Sequence, residues 1–293
     1  MKLVFIHGRD QQGKNPLRLK EIWIETWKKG LEKQALDLPT DLQIEFPFYG
    51  DLLHELTTAS NVPENIDGVI ARGSIGQRDL EFINDFLTDI AINAKITDQE
   101  IIQTFNGDIR ERGPLNWEWI QALLKVLDKT NLGSLSLKRF TYDAYMYLNV
   151  PAIRRKIEEL VLQKMDGDRC VIVGHSLGSV VGYNILRNND SFKVNRYITV
   201  GSPLGLRSIK GRLDVPIRMP NCILNGWFNA YDQRDVVALQ PLNRYCFDIE
   251  PEIENYDGVR NSTDNKHGIE GYLDDAVVAR AIYDALAWET VNA

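Results

Sequence analysis

The chain has 293 residues, 44% hydrophobic and 26% charged, the balance of a globular protein with ample material for a core. Its 34 Lys and Arg against 41 Asp and Glu leave a net charge of -7, which argues against nucleic acid as a main partner. No run approaches the ~20 apolar residues of a membrane span.

Met1 to His7 is too short for a signal-peptide core and reads as a first strand, Lys2 to Ile6, ending at His7-Gly8. Leu17 to Leu36 carries Leu19, Ile22, Trp23, Trp27, Leu31 and Ala35 at helical spacing and stops near Pro39. Leu42 to Phe48 alternates like a strand. Strand, helix, strand from the first residue points to a parallel sheet with crossover helices. From Asp51 to about Leu137 no strand signal stands out. Leu80 to Ile92 and Leu115 to Leu127 each place apolar residues on one helical stripe, so residues 51–137 are expected to be a folded helical insertion.

From Pro151 the alternation resumes, with a helix to about Met165 and the apolar run Cys170-Val171-Ile172-Val173. A helix after Ser176, a strand Arg196 to Val200, the turn Gly201-Ser202-Pro203-Leu204 and a β-like run Cys222 to Ala230 follow. A weaker strand is expected over Arg244 to Ile249, and a closing helix over about Tyr272 to Trp288. The three cysteines (Cys170, Cys222, Cys246) are widely spaced in apolar segments and read as reduced core residues, so the expectation is a cytoplasmic protein.

Gly174-His175-Ser176-Leu177-Gly178 directly follows the run at Cys170 and is the most informative stretch of the chain. It reads as strand, sharp turn and helix with a serine at the apex. A serine hydroxyl is a poor nucleophile at neutral pH and must be held clear of the backbone beside a base. A G-x-S-x-G elbow does the first, because Gly174 and Gly178 let strand and helix pass close to the turn.

Four histidines could supply the base. His175 lies inside the elbow, His54 in the insertion, and His7 at the end of the first strand, where a structural role is expected. His267, in the Gly/Asn/Asp-rich loop Asn261 to Gly268, remains. An orienting acid belongs between serine and base, on a loop after a strand. Asp235 fits, with Asp232 three residues earlier as the alternative. Oxyanion donors are expected in the backbone N–H groups of Leu177 and Arg9, with Gly8 keeping the substrate carbonyl uncrowded.

Phe5-Ile6-His7-Gly8, Val173 to Gly178, Gly201-Ser202-Pro203-Leu204, Asn229 to Val237 and His267 together resemble an α/β-hydrolase of the serine esterase/lipase type. The resemblance implies an α/β fold with a doubly wound, mainly parallel sheet. Residues 1–50 and 138–293 would form the core, and the insertion 51–137 a cap or lid. It also implies no cofactor, no metal and an acyl-enzyme intermediate. The substrate would be a small-molecule or lipid-like acyl compound, with the oligomeric state open. Arg9 is charged where many such lipases carry an apolar residue, which argues against a purely greasy substrate.

Three rivals stand beside this reading. Gly8 to Asn15 nearly satisfies the phosphate-binding pattern G-x-x-x-x-G-K-[ST], but Asn15 lacks the hydroxyl and Pro16 the N–H that pattern needs. Peptidases, amidases and thioesterases use the same three groups on the same fold. A non-catalytic binding scaffold has no chemical need for serine, acid and histidine together.

Overall fold

The computed structural model describes residues 1–59, 77–105, 117–128, 134–165 and 169–292. Six strands form one sheet in the order β2-β1-β3-β4-β5-β6, and every neighbouring pair is parallel. The strands are β1 (Lys2–Ile6), β2 (Gln43–Glu45), β3 (Cys170–His175), β4 (Val194–Val200), β5 (Trp227–Ala230) and β6 (Glu254–Tyr256).

Helices cover both faces, which is why β1 and β3 are mostly apolar, while β4 also carries Asn195, Arg196 and Thr199. Leu3, Phe5, Val171, Val173, Ile198 and Val200 pack under α1 (Pro16–Glu32) and the C-terminal helices. The alternate residues Val4, Ile6 and Ile172 share the opposite core with α7 (Pro151–Met165) and α8 (Leu177–Arg187). Between β2 and α7 the elements among the described residues are all helices: α2 (Gly50–Ala59), α3 (Gln77–Asn93), α4 (Asp98–Thr104), α5 (Trp117–Leu127) and α6 (Ser134–Asn149). The expected stripe of Phe82, Ile83, Phe86, Leu87 and Ile90 is buried in the same core as α7 and α8, as are Ile120, Leu123, Leu124 and Leu127 of α5. Residues 115 and 116 of that second stripe lie outside the described residues. The expected boundary at 137/138 falls inside α6.

Several expected elements are shorter or displaced. The strand expected over Leu42 to Phe48 is only Gln43–Glu45, and Pro47, with no N–H, cannot extend its ladder. Of Cys222 to Ala230, only Trp227–Ala230 is strand, because Gly226 turns the chain at φ +78. Arg244 to Ile249 is not a strand. The Asn243 side chain accepts from the Tyr245 and Cys246 amides and its carbonyl from Phe247, which winds the segment into turns. The sixth strand lies beyond it, at β6.

The closing helix is two helices, α10 (Glu270–Leu273) and α11 (Ala276–Asn292), after the short α9 (Arg207–Lys210). Asp275 breaks it by accepting the amides of Val277 and Val278, as an N-cap does. The cysteines are free, and Cys246 is only half-buried rather than a core residue. No described helix is long and apolar enough to cross a membrane.

The strand order sets the place of the site. The chain leaves β1 toward β2 on one side and returns to β3 on the other, so the loops after β1 and β3 diverge at the carboxyl edge and leave a crevice there. Ile6 is paired with Gly174 in that register, which brings His7-Gly8-Arg9 beside Ser176.

Candidate active site

Ser176 sits between β3 and α8 with φ 53 and ψ -128, a conformation an L residue holds only when its surroundings enforce it. The enforcement is visible. The Ser176 amide donates to Val200 O at 3.2 Å, and the Ser176 carbonyl accepts from the Ser179 amide and hydroxyl. Gly178 lies so close to the Ile6 carbonyl that any Cβ would collide with it. A Cβ on Gly174 would stand 2.8 Å from Ser179 Cα. One on Gly8 would stand 2.9 Å from Ser176 Cβ and 3.2 Å from His175 O, so the loop after β1 approaches the serine only through glycine. Leu177, first in α8, has an amide with no acceptor inside the helix.

Ser176 and His267 are joined directly: His267 Nε2 lies 2.8 Å from Ser176 Oγ. On the other side of the ring, His267 Nδ1 lies 2.6 Å from Asp235 Oδ2. A carboxylate can only accept, so Nδ1 carries the proton and Nε2 presents its lone pair to the serine O–H. Asp235 is fully buried, and its charge is met three times. Besides His267, Tyr272 O–H donates to Oδ2 at 2.6 Å and the Val237 amide to Oδ1 at 3.1 Å. The Tyr272 hydroxyl is held well above its ordinary range by burial and by Asp235, so it stays a donor.

Asp232, the alternative acid, is bound elsewhere. The Arg234 guanidinium and the Asn261 amide donate to it, the latter at 2.6 Å. Burial raises its carboxyl, but these bonds outweigh burial and hold it below the usual carboxylate range. It ties the loop after β5 to the loop carrying His267. That loop is knitted by its own Asn and Thr residues, with Asn265 Oδ1 accepting from the His267 and Gly268 amides.

His7 and His175 are each held by backbone partners. His7 Nδ1–H donates to Gly8 O, and its Nε2 accepts from the Tyr49 amide at 3.1 Å. Burial lowers its pKa to about 4. His175 Nε2–H donates to the His267 carbonyl at 2.9 Å. Burial, then the nearby His267, lowers its pKa to about 3, so it is neutral. The Ser202 hydroxyl bonds Ser179 Oγ at 2.8 Å, fastening the turn after β4 to the elbow helix.

Two contacts to this relay have no signal in the sequence: Tyr272 reads only as the start of the closing helix, and His175 as a side chain pointing away from the hydroxyl, yet Tyr272 bonds Asp235 and His175 the His267 carbonyl.

A cavity of about 240 Å³ opens onto Ser176 and His267. Its lining combines apolar Trp23, Leu137, Phe140, Val237 and Ile269 with charged Arg9, Asp10, Lys14 and Glu270. Phe140 stands edge-on to the His267 ring at 6.1 Å. Arg9 is buried against Asp143, with Nε 3.2 Å from Oδ2, and lies over the Phe140 ring. Burial lifts the Asp143 carboxyl to about 6, with Arg9 pulling against it.

The phosphate-pattern stretch is used otherwise. Asn15 caps α1 by accepting from Leu17 and Arg18 amides, Pro16 begins the helix, and the Gly13 amide donates to Asp51 at 2.6 Å. An acidic side chain thus takes the amide a phosphate would need. Among the described residues no group of three His, Cys, Asp or Glu is arranged to hold a metal ion. Comparison of the chain with protein-family models, with curated proteins and with solved structures gives no match.

Proposed function

We propose that the chain is a serine hydrolase of the α/β-hydrolase type acting on a carboxylic ester, with residues 51–137 contributing a cap over the site. The observation that carries this reading is the continuous relay from Asp235 through His267 to a serine held at positive φ. Such backbone strain is kept where a side chain must be presented to a substrate.

In this reading Ser176 Oγ attacks the ester carbonyl while His267 Nε2 takes its proton. The carbonyl π bond opens and its oxygen becomes an oxyanion, held by the N–H groups of Leu177 and Arg9. The carbon–oxygen bond to the alcohol then breaks as His267 returns the proton to the leaving oxygen. Water repeats the sequence on the acyl-enzyme and frees the acid. Asp235 keeps His267 in the Nδ1–H tautomer and stabilises the imidazolium that forms in each half-reaction.

A fluorophosphonate probe tests the nucleophile. The protein should be labelled at Ser176, and Ser176→Ala should not be. Undiminished labelling of the variant, or none of the native chain, would remove the reading.

A further inference from the structure

Helix α6 reaches from the candidate base to the loop after β1. Its residues Leu137, Phe140 and Asp143 are spaced by three and so share one face. Leu137 and Phe140 line the Ser176 cavity, and Phe140 stands edge-on to the His267 ring. Asp143 instead meets Arg9, whose Nε lies 3.2 Å from Oδ2 and whose guanidinium lies over Phe140. The helix is itself fastened. The Tyr147 hydroxyl donates to Glu158 of α7 at 2.9 Å and accepts from Asn184 of the elbow helix α8 at 3.1 Å.

We infer that Asp143 is a positioning residue, which through the Arg9 side chain holds the Arg9 N–H on the oxyanion. The inference rests on the serine-hydrolase reading and adds to it a side chain on the cap. Its first support is backbone geometry. A trans peptide points its N–H opposite to the preceding C=O, so the Gly8 carbonyl sets the direction of the Arg9 N–H. That carbonyl accepts from His7 Nδ1 at 2.5 Å, and the Arg9 carbonyl accepts from Gln11 Nε2 at 2.8 Å. His7 thus holds the peptide from the end of β1, and Asp143 holds the next side chain from α6. Without the second hold the peptide is fixed at one end only.

The second support is burial of the pair. The Arg9 and Asp143 side chains are 10% and 19% exposed. Removing one charge from such a pair leaves the other uncompensated, so Arg9 does not keep its place beside a neutral residue 143.

The third support is that the hold can be released by a proton. The ionisable groups facing Asp143 are Arg9 and Asp10 from the loop, Tyr49 and His54 at the start of α2, and Arg139 on α6 itself. Burial raises the Asp143 carboxyl to about 6; Arg9 and His54 oppose the rise and Asp10 adds to it. Asp143 is therefore charged above about pH 6 and neutral below it.

The experiment follows p-nitrophenyl butyrate turnover by the native protein and by Asp143→Asn from about pH 8 to about pH 5. The substitution copies the protonated acid, a neutral group that keeps an acceptor oxygen. At the upper pH its kcat should be about tenfold lower with KM unchanged, part of the about 10²–10³ that loss of an oxyanion donor costs. The native-to-variant ratio should then fall toward one at the lower pH, where native Asp143 is neutral too. Protonation of His267 is common to both proteins and cancels from that ratio. Asp143→Glu, which keeps the charge, should restore most of the rate at the upper pH.

Arg9→Met combined with Asp143→Asn leaves neither charge buried alone, and serves if the single variant fails to fold. It should lose about tenfold and not the product of two separate losses, because Asp143 acts through Arg9. A native-to-variant ratio that does not change with pH would overturn the inference, as a merely structural role gives that result. So would a loss in kcat below about twofold, or a loss carried by KM alone. If Ser176 takes up the fluorophosphonate while any of these results holds, only the role of Asp143 falls. If neither label nor turnover is seen, the hydrolase reading falls and takes the inference with it.

Discussion

The ring of His175 and the carbonyl of His267 are hydrogen-bonded at 2.9 Å, so the residue before the candidate nucleophile holds the loop that carries the candidate base. Serine and imidazole are therefore positioned by one local frame. The bond requires a proton on His175 Nε2, and burial supplies a second constraint by keeping the ring neutral.

That constraint should appear as a pH dependence of stability. His7 and His175 titrate near 6.5 when unfolded but at about 4 and about 3 when folded. Between those values the unfolded chain binds protons the folded chain cannot, so stability is full above pH 6.5 and is lost as pH falls toward 4. Asp143, raised to about 6, acts in the opposite sense. His175→Gln removes one of these sites, so the slope of unfolding free energy against pH between 4 and 5.5 should be about 1.4 kcal/mol per unit shallower than in the native protein. Urea unfolding at several pH values measures it, and equal slopes would mean that His175 is not held neutral.

Backbone strain at residue 176 can be isolated by two variants that both lack the hydroxyl. Ser176→Ala keeps the positive φ of 53, whereas Ser176→Gly relaxes it. The strain is worth ~1–3 kcal/mol and is partly offset by the ~0.5–1 kcal/mol of chain entropy that glycine loses. Ser176→Gly should therefore be the more stable of the two by about 1 kcal/mol, read from chemical denaturation.

Asp235→Asn and Asp232→Asn should separate chemistry from scaffold. The first puts an amide opposite His267 Nδ1 and favours the wrong tautomer, so ester turnover should fall by about 10⁴. The second leaves the relay intact but weakens the bonds to Arg234 and the Asn261 amide. It should lower stability by about 1–3 kcal/mol while changing turnover less than tenfold. Comparable rate losses in both would reassign the acid.

Tyr272→Phe deletes one of the three donors to Asp235. As Tyr272 is a positioning residue, its loss should lower kcat about tenfold and leave KM unchanged, the pattern of an interaction that matters only as charge develops on His267. A parallel rise in KM would point instead to a collapsed cavity.

Much of the architecture is legible in the chain because its signals are local. β1, α1, α7, β3, α8 and β4 follow from apolar period, from Pro at helix starts and from glycine at the elbow. Two of the departures, the absent strand at Arg244 to Ile249 and the split closing helix, have another cause. Asn243 and Asp275 divert backbone amides to their own side chains, and this competition outweighs the apolar runs at Arg244 to Ile249 and Tyr272 to Trp288.

What the sequence determined alone is that a serine stands at a strand-to-helix turn and that two candidate aspartates and then a histidine follow it along the chain. Which groups meet was decided by the tertiary structure. His267 lies 91 residues from Ser176 and 32 from Asp235, and no periodic pattern encodes the direction of loop side chains across such distances. The parallel register of β1, β3, β4 and β5 brings their carboxyl ends to one rim. The bonds of Asp232 to Arg234 and Asn261 then leave Asp235 facing the imidazole.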